Sequence, residues 1–355
     1  MTDTPTARPA SWTLRTHDGL SVLVPPRLSS LTTFVLLEQE TWFESEHAFV
    51  ASLLEPDMRV LDIGANHGLY TLKLASALPQ GHVWAFEPTA EPRGRLEGSV
   101  RANGFDARVT VLPVGLSDRT RDAVFDTQGD SELNSLHGRG GVGEKVRLET
   151  LDDVLARMTP TPEIGFVKLD VEGEEAAVLA GGERFFAAQS PLVMFEVKHA
   201  AQWNLTLIGE FERRGYALFR HLPELAMLVP FDATLPGQDR LLNLFACKPD
   251  RQQWLVERGL LAADAAPGSL EPTDHDVAMA LDWLPALPFA EGMAVPAGDA
   301  GLADRYRRAL ALAAAAQRAG TPAEYRWACA RAARTLMAVP AAAEAGADAG
   351  LRRAA

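Results

Sequence analysis

At residues 60–68 the chain reads Val-Leu-Asp-Ile-Gly-Ala-Asn-His-Gly, and this stretch decides the fold class. An apolar run that ends in an acid and two glycines, with a helical pattern at 69–78 behind it, predicts a buried strand, a tight turn and a helix. In a parallel sheet such a turn lies at the carboxyl edge, where ligands bind. Gly64 and Gly68 allow the backbone to approach a ligand closely. The sequence therefore predicts a ligand site at this turn.

Short apolar runs alternate with helical stretches as far as about residue 250, which is typical of parallel strands covered by helices on both faces. The runs are at 59–63, 83–86, 109–113, 164–169 and 192–195. Two later β-like segments, at 216–222 and 241–247, have no convincing helix between them and predict an antiparallel hairpin at the end of the sheet. The expected fold class is a doubly wound α/β sheet.

The remaining segments predict smaller parts around this sheet. Residues 12–36 favour a hairpin or two of antiparallel strand, and 42–54 have the periodicity of one amphipathic helix. Helices are expected at 251–263 and 303–338, the latter divided at Gly320-Thr321-Pro322 by a helix stop and a helix start. The expected organisation is a β-rich leader at 1–41, the ligand-binding α/β domain at 42–250, a helical appendage at 251–340 and a flexible tail at 341–355.

Charge and composition exclude several function classes. The net charge is −13, from 34 Lys and Arg against 47 Asp and Glu. Such a chain repels phosphate backbones and anionic lipids, so neither nucleic acid nor a membrane surface is an expected partner. The two cysteines, Cys247 and Cys329, lack metal-ligand spacing and predict reduced thiols. With no secretory signal pattern and no apolar run of ~20 residues, a cytoplasmic location is expected.

The kind of ligand follows from two acids. Glu87 ends the second apolar run, 87 − 64 = 23 residues after the first glycine, where a carboxylate accepts hydrogen bonds from ribose hydroxyls. The triplet Gly-x-Gly-x-x-Gly of dinucleotide sites is absent, and Asp62 before the glycines would repel a pyrophosphate. A cationic, phosphate-free nucleoside, S-adenosylmethionine, is the cofactor that these residues predict. The alternative, a tight strand–helix connection with no ligand, leaves Glu87 unexplained.

Six stretches in this order resemble the motifs of the FkbM family of S-adenosylmethionine-dependent methyltransferases. They are Asp-Ile-Gly-Ala-Asn-His-Gly-Leu-Tyr-Thr (62–71), Phe-Glu-Pro (86–88), Gly-Leu-Ser-Asp (115–118), Thr-Leu-Asp-Asp (150–153), Val-Lys-Leu-Asp-Val-Glu-Gly-Glu-Glu (167–175) and Phe-Glu (195–196). The resemblance runs from about residue 42 to 247. It implies a class I methyltransferase fold, Rossmann-like, with a seven-stranded sheet whose last strand is antiparallel. It also implies O-methylation of a hydroxyl on a sugar, glycan or secondary metabolite.

The resemblance also implies which residues contact the cofactor. The set comprises Asp62, Gly64, Ala65, Asn66, Gly68 and Thr71 at the methionine part, Glu87 and Pro88 at the ribose, and Gly115, Leu116, Ser117 and Asp118 at the adenine edge. Thr71 has an equally good alternative as a hydroxyl on the helix surface. His67 is interpreted as a loop residue that lines the entrance.

The acids after the fourth apolar run carry the expected chemistry. Asp170 could hold the cofactor's ammonium group, deprotonate an acceptor hydroxyl, or ligate a divalent metal ion together with Glu196. The catalytic candidates are Asp170, Glu196 and His199, with His221 as a weaker alternative base. Glu174 and Glu175 are expected in a first helical turn, where acids complement the helix dipole. Lys168, inside an apolar strand, predicts an ion pair with a neighbouring acid.

Several questions stay open at this level. A polar loop at 126–143 is either a substrate lid or surface decoration. The helical appendage is a dimer surface, a cover for the acceptor pocket, or neither, and a homodimer is one expectation. Two other functions compete with a methyltransferase of small molecules or glycans: a catalytically silent binding module of the same fold, and an RNA methyltransferase, which the net charge opposes. The acceptor, O- against N-methylation, and the metal requirement are not determined by the sequence.

Overall fold

The computed structural model describes residues 10–125, 143–171, 173–199, 202–232, 241–262, 271–283, 300–319 and 322–337. These residues form two compact units, Met1–Leu218 with Leu242–Arg251, and Phe219–Leu241 with Gln252–Ala355. In these described ranges, no helix combines the length and the apolar character that crossing a membrane requires. The predicted loop at 126–143 lies outside them except for its last residue, and the predicted tail lies wholly outside.

The first unit begins with two strands and two helices, β1 (Trp12–Arg15), β2 (Ser21–Val24), α1 (Leu31–Gln39) and α2 (Ser45–Phe49). The predicted hairpin is confirmed, since β1 and β2 pair antiparallel. The prediction of strand for the residues that form α1 is wrong. The Ser30 side chain accepts a hydrogen bond from Thr33 N, and a helix starts there. The single helix predicted at 42–54 is also wrong. Its first residues, 42–44, are not helical, and α2 passes into a 3-10 turn at Val50–Leu53.

The β1–β2 ribbon packs on a helix of the α/β core through polar side chains. Ser21 N donates to Asn103 Oδ1 at 2.9 Å, and Leu23 N donates to Ser99 Oγ at 2.8 Å. Asn103 Nδ2 returns a hydrogen bond to Ser21 O at 2.7 Å. The first compact unit thus includes the β1–β2 ribbon together with the α/β core.

The chain then continues through β3 (Arg59–Ile63), α3 (Leu69–Ala77), β4 (His82–Phe86), α4 (Ala90–Ala102), β5 (Val109–Leu112), β6 (Gly115–Leu116), β7 (Arg121–Phe125), β8 (Glu144–Glu149), α5 (Leu151–Ala156), β9 (Phe166–Leu169), α6 (Glu175–Gly181), α7 (Glu183–Ala188), β10 (Leu192–Glu196), β11 (Lys198–His199), β12 (Gln202–Trp203), α8 (Leu205–Arg213), β13 (Ala217–Leu222), β14 (Met227–Pro230) and β15 (Asn243–Cys247). All five predicted parallel strands are present.

The central sheet has eight strands in the order β14-β13-β15-β10-β9-β3-β4-β5. Its strands β10, β9, β3, β4 and β5 are parallel, and β15 pairs antiparallel with β10. The predicted α/β fold with an antiparallel last strand is confirmed. The eighth strand, β14, was missed by the sequence analysis. A short 3-10 turn at Pro223–Leu225 and the left-handed Ala226 reverse the chain, so that β14 pairs antiparallel with β13.

Burial of the middle strands explains their continuous apolar sequences. Every residue of β9 is buried, and Val60, Leu61 and Ile63 of β3 have no exposed area. Parallel strands covered on both faces require apolar side chains at successive positions, because both faces are core. The same arrangement brings the carboxyl ends of β3, β4, β9 and β10 to one edge of the sheet.

The second unit contains the β13–β14 hairpin and the helices α9 (Pro249–Glu257), α10 (Asp274–Trp283), α11 (Ala300–Ala315) and α12 (Pro322–Met337), although α9 begins in the first unit. Met227 and Val229 of β14 share a buried cluster with Trp327 and Ala328 of α12. The predicted division of the last helical segment is confirmed. The sequence analysis missed α10, where Thr273 and Asp276 exchange hydrogen bonds as a capping box does.

Candidate active site

A pocket opens at the edge of the sheet where β3, β4, β9 and β10 end. Its lining includes Gly64 after β3, Glu87 after β4, Asp170 after β9 and Glu196 at the end of β10. Parallel strands in one sheet point their carboxyl ends the same way, which is why residues far apart in sequence meet here. The sequence predicted all four at this edge.

The glycine turn is held tightly against its neighbours. Gly64 has a φ of 86°, and a Cβ added to it would lie 1.7 Å from the backbone oxygen of Asp170. The backbone amides of Gly64 and Ala65 donate to Phe86 O at 3.1 and 3.0 Å, which ties the turn to β4. Only glycine combines this left-handed backbone with so close an approach of two chains. The pocket floor is therefore a rigid piece of backbone.

Glu87 is buried at the next strand end, and its carboxylate already organises the turn. Its Oε2 accepts a hydrogen bond from Asn66 N at 2.9 Å, and its Oε1 accepts from Thr89 N at 2.9 Å and from the Thr89 hydroxyl. Burial raises the pKa of Glu87, although these hydrogen bonds favour the charged form. A carboxylate has about four acceptor positions, so three donors leave capacity for a ligand hydroxyl.

Lys168 is a buried cation in the lining of the pocket. Its Nζ lies 2.9 Å from Asp170 Oδ2, 3.4 Å from Gly64 O and 5.0 Å from the centre of the Tyr70 ring. Burial opposes its charge, but attraction from Asp170 and Asp62 outweighs burial and raises the pKa of Lys168. The predicted ion pair is present.

Asp62 lies beneath the turn rather than on the pocket surface. It has no exposed area, it accepts a hydrogen bond from the Thr71 hydroxyl, and its Oδ1 has no hydrogen-bond partner among the described residues. Burial raises the pKa of Asp62, while the charge of Lys168 and the Thr71 hydrogen bond act in the opposite direction. Asp62 therefore acts on the site through Lys168 and Thr71.

Three carboxylates, those of Asp170, Glu175 and Glu196, each offer an oxygen within 4.8 Å of the others. Glu175 is in the first turn of α6 as predicted, but it is buried, and its Oε1 accepts hydrogen bonds from Val171 N and Gly173 N at 3.1 Å each. Its role in folding the loop after β9 was not anticipated. Glu174 occupies the N-cap position of α6 without a side-chain hydrogen bond to the helix, and it accepts a hydrogen bond from the Ser117 hydroxyl at 3.0 Å. Such a cluster can accept a proton, bind an ammonium group or ligate a divalent ion.

The predicted site residues divide into two groups. Those that line the pocket, together with His67, are Gly64, Ala65, Asn66, Glu87, Pro88, Gly115, Leu116, Asp170 and Glu196. Those outside its lining are Asp62, Gly68, Thr71, Ser117 and Asp118. The side chain of His199 lies outside the described part of the structure. His221 is buried in the second unit's part of β13 and is not among the lining residues.

One wall of the pocket was missed by the sequence analysis. It is formed by residues N-terminal to β3, among them Trp42, Phe43 and Glu44, and by Tyr70 in the first turn of α3. The helical periodicity at 42–54 instead predicts Trp42 and Phe43 within one amphipathic helix. The available signal is Glu44, which directly precedes α2, and an acid at such a position is ordinary.

The walls of the pocket are strongly acidic. Among the residues that the structure describes, the lining has five carboxylates, Glu44, Glu87, Asp170, Glu174 and Glu196, and one ammonium, that of Lys168. At short range in a partly buried site this excess favours a positively charged ligand over a phosphate.

The fold is thus an α/β sheet of parallel strands closed by an antiparallel strand, with an acid-lined pocket at its carboxyl edge. Residues 62–218 match the family described as "Methyltransferase FkbM domain". The chain therefore carries an FkbM methyltransferase domain.

Three relatives illustrate its likeness to known proteins. The AMB antimetabolite synthetase AmbE of Pseudomonas aeruginosa is 29% identical over 259 residues, which are 62% of this chain and 12% of AmbE. The 2-O-methyltransferase NoeI of Sinorhizobium fredii is 27% identical over 39% of this chain and 63% of NoeI. The hexuronic acid methyltransferase AglP of Haloferax volcanii is 32% identical over 36% of this chain and 51% of AglP. The chain thus spans less than two thirds of the length of each of these relatives.

Proposed function

We propose that this protein transfers the methyl group of S-adenosylmethionine to a hydroxyl of a sugar, glycan or secondary metabolite. The observation that carries the proposal is the acid-lined pocket at the carboxyl edge of the sheet, with its floor at Gly64 and a buried carboxylate at Glu87. S-adenosylmethionine carries a sulfonium and an ammonium group and no phosphate, so its charge complements these walls.

The pocket suggests an orientation for the cofactor. Glu87 would accept hydrogen bonds from the ribose hydroxyls, and Gly115 with Leu116 would border the adenine. Gly64 and Asp170 would then contact the methionine part, with the ammonium group at the Asp170 carboxylate. Lys168, whose Nζ lies 2.9 Å from Asp170 Oδ2, would hold that carboxylate in position.

The reaction requires little from the protein beyond positioning. The acceptor oxygen attacks the methyl carbon in line with the carbon–sulfur bond, which breaks and leaves S-adenosylhomocysteine as a neutral thioether. Holding both reactants in this geometry supplies much of the acceleration. The acceptor proton passes to a carboxylate, for which Asp170 and Glu196 are the candidates at the pocket, with His199 as a third base.

Two relatives support an oxygen acceptor on a sugar. NoeI is described as a 2-O-methyltransferase and AglP as a hexuronic acid methyltransferase. The cluster of Asp170, Glu175 and Glu196 also consists of hard oxygen donors that suit Mg²⁺, which would orient an acceptor hydroxyl.

Calorimetry tests the cofactor. We expect the protein to bind S-adenosylmethionine and S-adenosylhomocysteine and not to bind a nicotinamide dinucleotide. Glu87→Gln should weaken the binding of S-adenosylhomocysteine by about 10- to 100-fold, because a hydrogen bond to a charged group contributes about 1.5–3 kcal/mol. Glu91→Gln, at an exposed acid in the first turn of α4, is the matched control and should bind as the wild type does. Binding of the dinucleotide, or no binding of S-adenosylhomocysteine by the wild type, contradicts the proposal.

Turnover tests the acceptor. Small molecules and glycans from an extract are incubated with the protein and S-adenosylmethionine, and mass spectrometry identifies products that have gained one methyl group. Loss of product with a chelator, restored by Mg²⁺, would show a metal requirement, for which Asp170 and Glu196 are the candidate ligands, whereas product that is unchanged by chelator leaves them as candidate bases. Cofactor binding without product from any acceptor would favour a binding module.

A further inference from the structure

A carboxylate outside the matched residues 62–218 holds one wall of the pocket together. Glu44 Oε2 accepts hydrogen bonds from Tyr70 Oη at 2.6 Å and from Asn243 Nδ2 at 2.8 Å. Its Oε1 accepts from the indole Nε1 of Trp42 at 2.9 Å. Glu44, Trp42, Tyr70 and Asn243 are called the Glu44 clasp below.

The Glu44 clasp joins three separate elements of the first unit. Glu44 and Trp42 lie in the non-helical segment before α2, Tyr70 is in the first turn of α3, and Asn243 is the first residue of β15. These partners are 26 and 199 residues away from Glu44 in sequence. Hydrogen bonds to a charged acceptor are stronger than neutral ones, so a single carboxylate can fix the segment to both elements.

The clasp is part of the pocket and is connected to its reactive end. Trp42, Glu44 and Tyr70 all line the pocket, as does Phe43, whose ring centre is 4.8 Å from that of Trp42. The Tyr70 ring lies 5.0 Å from Lys168 Nζ, which in turn pairs with Asp170. The clasp therefore places two aromatic side chains on the same cavity as the turn at Gly64.

We propose that Glu44 is a positioning residue that fixes Trp42 and Phe43 as the wall covering the methionine end of the cofactor. The working site then extends beyond the matched domain to the segment before α2. The aromatic wall keeps water from the sulfonium and narrows the approach of the acceptor to the methyl group. This inference rests on the proposed function, because it assumes that S-adenosylmethionine occupies the pocket.

Glu44→Gln tests the clasp with little change in size. A glutamine has only one acceptor oxygen, so its NH2 group faces either the indole N–H of Trp42 or the two donors Tyr70 Oη and Asn243 Nδ2, and at least one hydrogen bond of the clasp is lost. We expect the dissociation constant of S-adenosylhomocysteine to rise about tenfold, in calorimetry on the full chain. Glu38→Gln, at an exposed acid near the end of α1, is the matched control and should leave the constant unchanged.

A second substitution distinguishes positioning from general damage. The double variant Glu44→Gln with Asn243→Asp exchanges the acid and the amide of the hydrogen bond between residues 44 and 243. Its net charge is that of the wild type. We expect this pair to recover most of the lost affinity, whereas Asn243→Asp alone, which brings two carboxylates together, should bind more weakly than the wild type. Tryptophan fluorescence provides a spectroscopic readout, because Trp42 lines the pocket. We expect the emission to change when S-adenosylhomocysteine is added, and Trp42→Phe should remove that change.

The outcomes separate this inference from the proposed function. If the wild type does not bind S-adenosylhomocysteine, the proposed function fails. If the wild type binds and a folded Glu44→Gln variant binds equally well, or if the paired exchange recovers nothing, the clasp fails and the proposed function stands. Should Glu44→Gln not fold, Trp42→Phe replaces it, and unchanged affinity and emission in that variant would overturn the inference.

Discussion

Gly64→Ala should abolish cofactor binding and lower the free energy of unfolding by about 3–5 kcal/mol. The added Cβ would lie 1.7 Å from the Asp170 backbone oxygen and 3.3 Å from Val171 Cγ1, on a residue with a φ of 86°. The nearest contact is backbone, which cannot rotate aside, so the turn after β3 and the loop after β9 must move apart. That movement displaces Asp170 from the methionine end of the pocket. Urea unfolding and calorimetry with S-adenosylhomocysteine measure the two effects.

Gly94→Ala is the matched control for this prediction. Gly94 is an exposed residue of α4, and an added Cβ would meet no atom within 4 Å. Alanine is the better helix former, so this variant should gain about 0.5–1 kcal/mol of stability and bind as the wild type does. A Gly64→Ala protein that binds S-adenosylhomocysteine as the wild type does would show that cofactor binding does not need the close approach of the turn after β3 to the loop after β9.

Lys168→Met should lower the free energy of unfolding by about 3 kcal/mol at pH 8 and by clearly less at pH 5. The substitution removes the cation that faces the fully buried Asp62 and the partly exposed Asp170. Asp62 then has the Thr71 hydroxyl but no neighbouring positive charge to offset its burial. Removing one partner of a buried ion pair is costly because the other charge stays in a poorly solvated place.

The pH dependence follows from the direction of the Asp62 shift. Burial raises the pKa of Asp62 in the folded protein, so its favourable contribution is present below the unfolded pKa and is lost as the pH rises through the folded pKa. Lys168 opposes that shift. In Lys168→Met the pKa of Asp62 therefore rises further, and the loss in free energy of unfolding relative to the wild type grows from acid to neutral pH.

Urea unfolding at pH 5, 6.5 and 8 measures this deficit, with Lys73→Met as the control. Lys73 pairs with Asp18 near the surface, with 17% and 40% of the two side chains exposed. Its loss should cost less than about 1 kcal/mol. A Lys168→Met deficit that is constant across the pH range would rule out Asp62 as its source.

The parts of the fold and site that the sequence predicted have local signals. Each parallel strand is a continuous apolar run, and the residues that follow β3, β4 and β9 stand at fixed places relative to those runs. Gly64, Glu87 and Asp170 were therefore assigned to one edge of the sheet before any contact was known. The Lys168 ion pair was predictable for a similar reason, since a charge inside an apolar strand needs a partner.

The parts that the sequence did not predict depend on contacts between distant residues. Glu44 is bound by residues 26 and 199 positions away, and no local pattern marks such a pairing. Trp42 and Phe43 fit an amphipathic helix by periodicity, and the hydrogen bonds that Glu44 makes to Tyr70 and Asn243 leave no local signal in the sequence. The sequence predicts Asp62 at the ligand, but in the structure its side chain is buried beneath the turn. There it contacts Thr71, and its position in the sequence does not reveal this burial.

The hydrogen bonds between the β1–β2 ribbon and α4 have a consequence for the behaviour of the protein at high concentration. Ser21 N and Leu23 N lie on the edge of β2 that faces away from β1, and they donate hydrogen bonds to the side chains of Asn103 and Ser99. An unpaired strand edge can pair with strands of other molecules, which leads to aggregation. Here two short polar side chains take the positions that an invading strand would use, so this edge of the ribbon is closed to intermolecular β-pairing.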